Sequence, residues 1–172
     1  SGKPPKYNSA SSIVIPAGLK ARNSTDSTDL TVASDLTVSL ASSGANGLDS
    51  GTEASNTWYY VYLIYNGTTV AGLLSTVNES NTGSITLPGG YTTKRQLPIA
   101  IRNDGSSNII PFFVAEGWPC QPKITYNVVH GGGGQTVGPT NVIDGGTSST
   151  YALVACASYV PPIAEFGFLR MQ

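Results

Sequence analysis

Charge is scarce in this sequence. Only 11% of the residues are Asp, Glu, Lys or Arg, against about 25% in an average soluble domain. The net charge is -1, so the chain carries no basic footprint for nucleic acid. Apolar runs are short as well. None approaches the roughly 20 residues that a bilayer-spanning helix needs, so membrane insertion is not expected. A positively charged stretch followed by an apolar one is missing at the N-terminus, and no signal peptide is visible.

Chemistry-bearing side chains are equally few. His130 is the one histidine. A serine triad needs that histidine beside a reactive serine, and no Gly-x-Ser-x-Gly elbow occurs. A zinc site needs three or four ligands, and one histidine with two distant cysteines is too few. His130, at the end of a strand candidate, is expected on the surface. Cys120 and Cys156 stand 36 positions apart, and spacing alone does not make them meet. Cys156 lies in the apolar run Leu153-Val154-Ala155-Cys156-Ala157, where a buried free thiol is common, and two free cysteines are expected. The Asp residues at 26, 29, 35, 49, 104 and 144 fall mostly in turn sequences, where Asp bonds backbone amides, rather than in a glycosidase pair. No enzyme, cofactor or metal site is expected.

Helical periodicity is the last absence. No 3.6-residue pattern survives over ten residues, whereas twenty glycines and eleven prolines punctuate many short β-prone runs. The longest is Thr57-Trp58-Tyr59-Tyr60-Val61-Tyr62-Leu63-Ile64-Tyr65. Alternation puts Trp58, Tyr60, Tyr62 and Ile64 on one face and Tyr59, Val61, Leu63 and Tyr65 on the other. Both faces are largely apolar, which predicts a central strand covered on both sides, with tyrosine hydroxyls needing partners or water. Asn66-Gly67 predicts a two-residue hairpin turn, with Thr68–Leu74 returning.

In chain order, residues 1–10, with two prolines and no apolar period, read as a linker or arm. Residues 11–172 read as one domain. Ser12–Pro16, Leu30–Val32 and Leu36–Leu40 are strand candidates, separated by the polar turn Ser24–Asp29. Residues 41–56 read as a small-residue loop. Its carboxylates, Asp49 and Glu53, lack the oxygen-ligand density of an EF-hand, and a solvated loop is expected. Leu87-Pro88-Gly89-Gly90-Tyr91 reads as a turn. Leu97-Pro98-Ile99-Ala100-Ile101 follows as a strand whose proline marks an edge or a bulge. Asn103-Asp104-Gly105-Ser106 is the next hairpin turn, with Ile109–Ala115 returning. Lys123–His130, Thr140–Ile143, Tyr151–Val160 and Ile163–Met171 complete the strand candidates. Gly131-Gly132-Gly133-Gly134 lacks the Gly-Lys-Ser/Thr ending and the helix of a phosphate loop. The sum predicts an all-β chain, an antiparallel β-sandwich or jelly roll.

Recognition residues are sought among aromatics beside turns. Trp118 and Tyr91 are placed to stack on a sugar face, with Asn103 and Asp104 in a neighbouring loop to bind hydroxyls. The competing reading of Trp118 is a plug at the edge of the fold. Asn-x-Ser/Thr sequons begin at Asn23, Asn66 and Asn78, of consequence only on a eukaryotic secretory route.

Two stretches carry a resemblance. The run Ala45-Asn46-Gly47-Leu48-Asp49-Ser50-Gly51-Thr52-Glu53-Ala54-Ser55-Asn56, continuing through Thr57–Asn66, is similar to a segment of tailed-bacteriophage and prophage structural proteins. So is Leu87-Pro88-Gly89-Gly90-Tyr91-Thr92-Thr93-Lys94-Arg95 followed by Ile101-Arg102-Asn103-Asp104-Gly105-Ser106. Residues 41–115 thus resemble the C-terminal region of tail fibres or similar virion appendages. The resemblance implies a virion protein, extracellular after release. It also implies a homotrimer that meets other virion proteins and contacts a bacterial surface glycan or protein. The expectation is therefore a tail- or head-fibre domain acting as a host-attachment tip. A purely structural head-fibre or decoration protein and a carbohydrate-binding module of a secreted enzyme are the alternatives.

Overall fold

The computed structural model describes residues 2–23, 28–79, 84–114, 124–126 and 160–164. These contain no helix and eleven strands, so the fold is all-β. The strands are β1 (Lys6–Ser9), β2 (Ser12–Ile15), β3 (Lys20–Arg22), β4 (Asp29–Thr31), β5 (Leu36–Ser39), β6 (Gly47–Leu48), β7 (Trp58–Tyr65), β8 (Val70–Ser75), β9 (Thr93–Arg102), β10 (Phe112–Val114) and β11 (Ile124–Tyr126). They form a three-stranded sheet β1-β2-β5, a four-stranded sheet β6-β8-β7-β9, and the pairs β3-β4 and β10-β11. Every pairing is antiparallel except that of β6 with β8. The expectations for Trp118, Cys120, His130, Gly131–Gly134, Thr140–Gly146, Cys156 and the strand Ile163–Met171 beyond residue 164 lie outside the described residues.

The stretch from Trp58 to Tyr65 behaves as its alternation requires. Tyr59, Val61 and Leu63 enter the larger core cluster with Ile13, Ile15 and Val38 of the three-stranded sheet and with Leu40 just past it. Tyr60, Tyr62 and Ile64 enter a second cluster on the opposite face with Ala71, Leu73, Ile85 and Ala100. The tyrosine hydroxyls are satisfied locally. Tyr59 both donates to the Ala54 carbonyl and accepts from its N–H. The Tyr62 hydroxyl lies 2.7 Å from the Val77 carbonyl and 2.8 Å from Gln96 Oε1, and Tyr65 donates to the Gly67 carbonyl. Burial pushes the Tyr59, Tyr60 and Tyr62 phenols up, Tyr62 furthest, with Glu79 adding to the effect there.

A raised folded-state phenol pKa leaves its stabilising contribution intact below the unfolded value of about 10 and removes it as pH rises through the folded value. These three tyrosines are expected to ionise only as the sheet is lost above about pH 10, which phenolate absorbance and far-ultraviolet dichroism would follow together. Ionisation of all nine tyrosines with the sheet signal intact would sink this expectation.

Three local readings are revised. The expected arm at residues 1–10 contains β1, which pairs with β2 in the register Lys6↔Val14 and Tyr7↔Ile13. Its prolines precede the strand, where a missing N–H breaks no ladder. The loop after β7 has four residues, not two, since Tyr65 pairs with Val70. Asn66 Oδ1 accepts from the N–H groups of Thr68 and Thr69, and Gly67 adopts φ 93°. That side-chain-closed turn competes with the two-residue form. The segment 41–56, expected as a solvated loop, contributes β6, which is buried and pairs with β8.

Pro98 marks an edge and a bulge together. β9 is the end strand of its sheet, and its pairings Tyr60↔Ala100 and Tyr62↔Gln96 leave Leu97-Pro98-Ile99 opposite Val61 alone. Leu97 and Ile99 both enter the core. The bulge thus gains a second buried side chain where the proline can donate no ladder bond.

Candidate functional site

The turn after β9 and the segment before β7 run side by side, because Trp58 stands opposite Arg102 in the register. Backbone bonds continue past the strands. Asn103 N–H donates to the Thr57 carbonyl at 3.2 Å and Asn56 N–H donates to the Asp104 carbonyl at 3.0 Å. Asn56 and Ser107 hold left-handed backbone at φ 53° and 63°.

Asn103 is the post that fixes this end. It has no exposed surface. Its Oδ1 accepts from Thr57 N–H at 2.7 Å. Its Nδ2 donates to the Ala54 carbonyl at 2.7 Å and to Glu53 Oε1 at 3.0 Å. Both amide hydrogens and the amide oxygen therefore serve the fold, and direct ligand contact by Asn103 gives way to a positioning role. Asp104, half-buried, closes its own loop: Oδ1 accepts from Ser106 N–H at 2.8 Å and Asn108 N–H at 2.9 Å. The Asn108 N–H, followed by that of Ser106, holds its carboxyl below the usual carboxylate range, with burial pulling the other way.

A depressed carboxyl pKa stabilises above the unfolded value of about 3.9 and the benefit disappears as pH falls through the lower folded value. Loop 103–108 is therefore expected to loosen below about pH 4. Amide exchange at Ser106 and Asn108 should accelerate there beyond the intrinsic rate. In Asp104→Asn, which keeps the acceptor without the charge, it should not. Equal acid sensitivity of the two proteins would contradict the role given to the carboxylate.

Tyr91, the aromatic partner expected for this loop, lies elsewhere. Its neighbour Thr92 donates to the Tyr65 carbonyl at 3.1 Å, at the other end of β7. Seven residue steps of a strand put roughly 23 Å between the two ends. Tyr91 is half-buried on the second core cluster. Asn103 and Asp104 are thus together, Tyr91 is apart from them, and Trp118 lies outside the described residues.

Two residues at this end were not singled out from sequence. The Arg102 guanidinium lies over the Trp58 ring, 5.9 Å from its centroid. Its Nη2 makes one long bond to the Asn56 carbonyl at 3.4 Å, and its Nε is buried without a partner among the described residues. An unmade bond to a buried donor costs about 1–3 kcal/mol, a sum comparable to the cation–π gain of about 0.5–2 kcal/mol. The available signal was Trp at the start of the aromatic strand and Arg just before an Asn-Asp-Gly turn, but only the register opposes them.

Below the same turn lies an open depression of about 350 Å³ whose lining includes Ser42, Ser43, Thr52, Glu53, Ser107 and Leu48. That is at the small end of the ~300–1,000 Å³ range of ligand clefts, and hydroxyls dominate its polar groups. Asp49 does not join Glu53 there. Asp49 Oδ2 accepts from Ser75 Oγ at 2.9 Å, while Glu53 faces Asn103. Among the described residues no three His, Cys, Asp or Glu side chains gather as a metal site would require.

Comparison with family models, curated proteins and solved structures finds no match to this chain. The polar groups fixed on the sheet lie at this loop end. Its chemistry is that of hydrogen bonding by hydroxyls, amides and one stacked guanidinium on a rigid sheet. Among the described residues no paired base and nucleophile occurs at it.

Proposed function

We propose that this chain is a virion appendage domain of a tailed bacteriophage, a tail or head fibre, whose loop end attaches to the host surface. The observation that carries the reading is the construction of that end. Asn103, Asp104 and Tyr59 lock loops 53–57 and 103–108 onto the end of a two-sided buried sheet, leaving Ser, Thr and Asn side chains outward. Rigid loops on a strand scaffold are where recognition is usually carried, and locked ones lose less entropy on binding. Of the segments that resemble appendage proteins, Ala45–Asn66 and Ile101–Ser106 contribute to this end, while Leu87–Arg95 lies at the other end of β7. A β-sandwich of jelly-roll type belongs to the proposal, supported by the packing of Ile15 and Val38 against β8 of the other sheet. So does a homotrimer, supported by a surface with few repulsive charges.

A structural virion role, in assembly and not attachment, is favoured by one observation. Phe113 on β10 is the large apolar side chain left exposed among the described residues, at 44%, as a subunit contact would leave it. Light scattering of the purified chain over a dilution series, paired with binding of the labelled chain to bacterial cells, separates the readings. A persistent trimer that binds cells is expected. A trimer that binds no cell would replace attachment with the structural role. A monomer at every dilution would overturn the appendage reading in favour of a free binding module.

A further inference from the structure

We propose that Arg102 is the oxyanion-binding residue of the loop end, and that its ligand is a saccharide bearing an acidic group. The inference rests on the attachment reading above and narrows its ligand class.

Among the described residues the Arg102 guanidinium has no counter-ion. The exposed Arg22 pairs with Asp29 at 2.7 Å, but among the described residues no carboxylate lies within ion-pair distance of Arg102. The two acids of the same end are engaged elsewhere: Glu53 accepts from Asn103, and Asp104 closes its own turn. Among the described residues Arg102 makes one hydrogen bond, from Nη2 to the Asn56 carbonyl at the limit of length, and its buried Nε has no partner. A partly desolvated cation whose Nη edge makes a single long bond is a poor structural element and a ready anion receptor.

Its orientation is already set. The Trp58 ring supports one face of the guanidinium, as stacked arginines commonly are at recognition sites. The planar fork then offers paired N–H donors to an oxyanion. Exposed Asn56 accepts its long bond, and Gly105 adjoins the Asn56 amide, a group that suits the hydroxyls of the ring carrying the acid. Carboxylate and phosphate share this chemistry, and both occur on surface saccharides.

The test titrates the full chain with an oligogalacturonate, with its carboxyl-reduced neutral counterpart and with a sugar phosphate, using calorimetry. A preference of roughly 10–100-fold for an acidic saccharide over the neutral one is expected from one charge-assisted pair, and the better acid identifies the oxyanion. Arg102→Gln should abolish the preference, and Arg102→Lys, a charge without the fork, should keep only part of it. If Arg102→Gln does not fold, the wild-type Nε–Hε resonance of Arg102, identified by its loss in Arg102→Lys, decides. It should shift with the acidic saccharide and stay fixed with the neutral one.

Equal binding of neutral and acidic saccharides, a preference surviving in folded Arg102→Gln, or an unmoved Nε–Hε resonance would overturn the assignment while leaving attachment intact. So would cell binding with no saccharide binding at all, which points to a protein receptor. Loss of both saccharide and cell binding would remove the attachment reading and this inference with it.

Discussion

Gly72→Ala is expected to lower stability by about 1–3 kcal/mol, the usual cost of overpacking a core. For a chain of this length that is a fall in Tm of roughly 3–10 °C. Gly72 lies in β8, where its missing side chain lets the two sheets approach. An ideal Cβ there would overlap Val38 Cγ2 and stand 3.1 Å from Ile15 Cδ1. Both obstructing residues are fully buried, and valine has a single stiff rotor, so the clash is not relieved by a flexible tip. Elsewhere a Gly→Ala change stabilises by about 0.4–1 kcal/mol through the unfolded chain. Here sterics outweigh that gain. The check is a double-mutant cycle with Val38→Ala, which removes the obstructing methyl. The alanine at 72 should then cost less than 1 kcal/mol, a coupling typical of residues in contact. An unchanged urea midpoint for Gly72→Ala alone would show that the sheets are not closely apposed there.

Asn103 carries the second large effect. Asn103→Ala strands the Thr57 N–H and removes the donor shared by Ala54 and Glu53. With about 1–3 kcal/mol for each buried group left unsatisfied, a loss of about 2–4 kcal/mol is expected. Asn103→Asp is nearly isosteric, yet at neutral pH it turns a carboxylate oxygen toward Glu53 Oε1 and the Ala54 carbonyl. Burying an unpaired charge against two acceptors should cost about 3–5 kcal/mol, more than deleting the side chain. Urea unfolding at pH 7 gives the ranking, and amide exchange at residues 54–57 shows whether the damage is local. A stable Asn103→Asp protein would mean that Asn103 is not the post that holds this end. Cell or saccharide binding by either folded variant should weaken as the loops lose their fixed spacing.

Much of the fold was legible because β-structure writes itself in period two. The two faces of Trp58–Tyr65 enter two separate clusters, and Pro98 marks both an edge and a bulge. Alternation names which side chains share a face whatever they face. It does not name the partner strand, so the pairing of residues 6–9 with β2 was hidden behind two prolines. The four-residue loop at Asn66 was hidden for a related reason. Asn-Gly favours a tight turn, but the same asparagine side chain can close a wider one, and strand register decides between them.

The candidate site divides along the same line. By itself the sequence determined an all-β chain, poor in charge, with an Asn103-Asp104 turn and an aromatic strand, since composition, turn chemistry and side-chain period are local properties. Tertiary structure alone decided that Asn103 is buried and structural, that Tyr91 stands at the far end of β7, and that Arg102 lies on Trp58 forty-four positions away. Those facts depend on cross-strand register, and register is fixed by which buried faces must meet across the whole core.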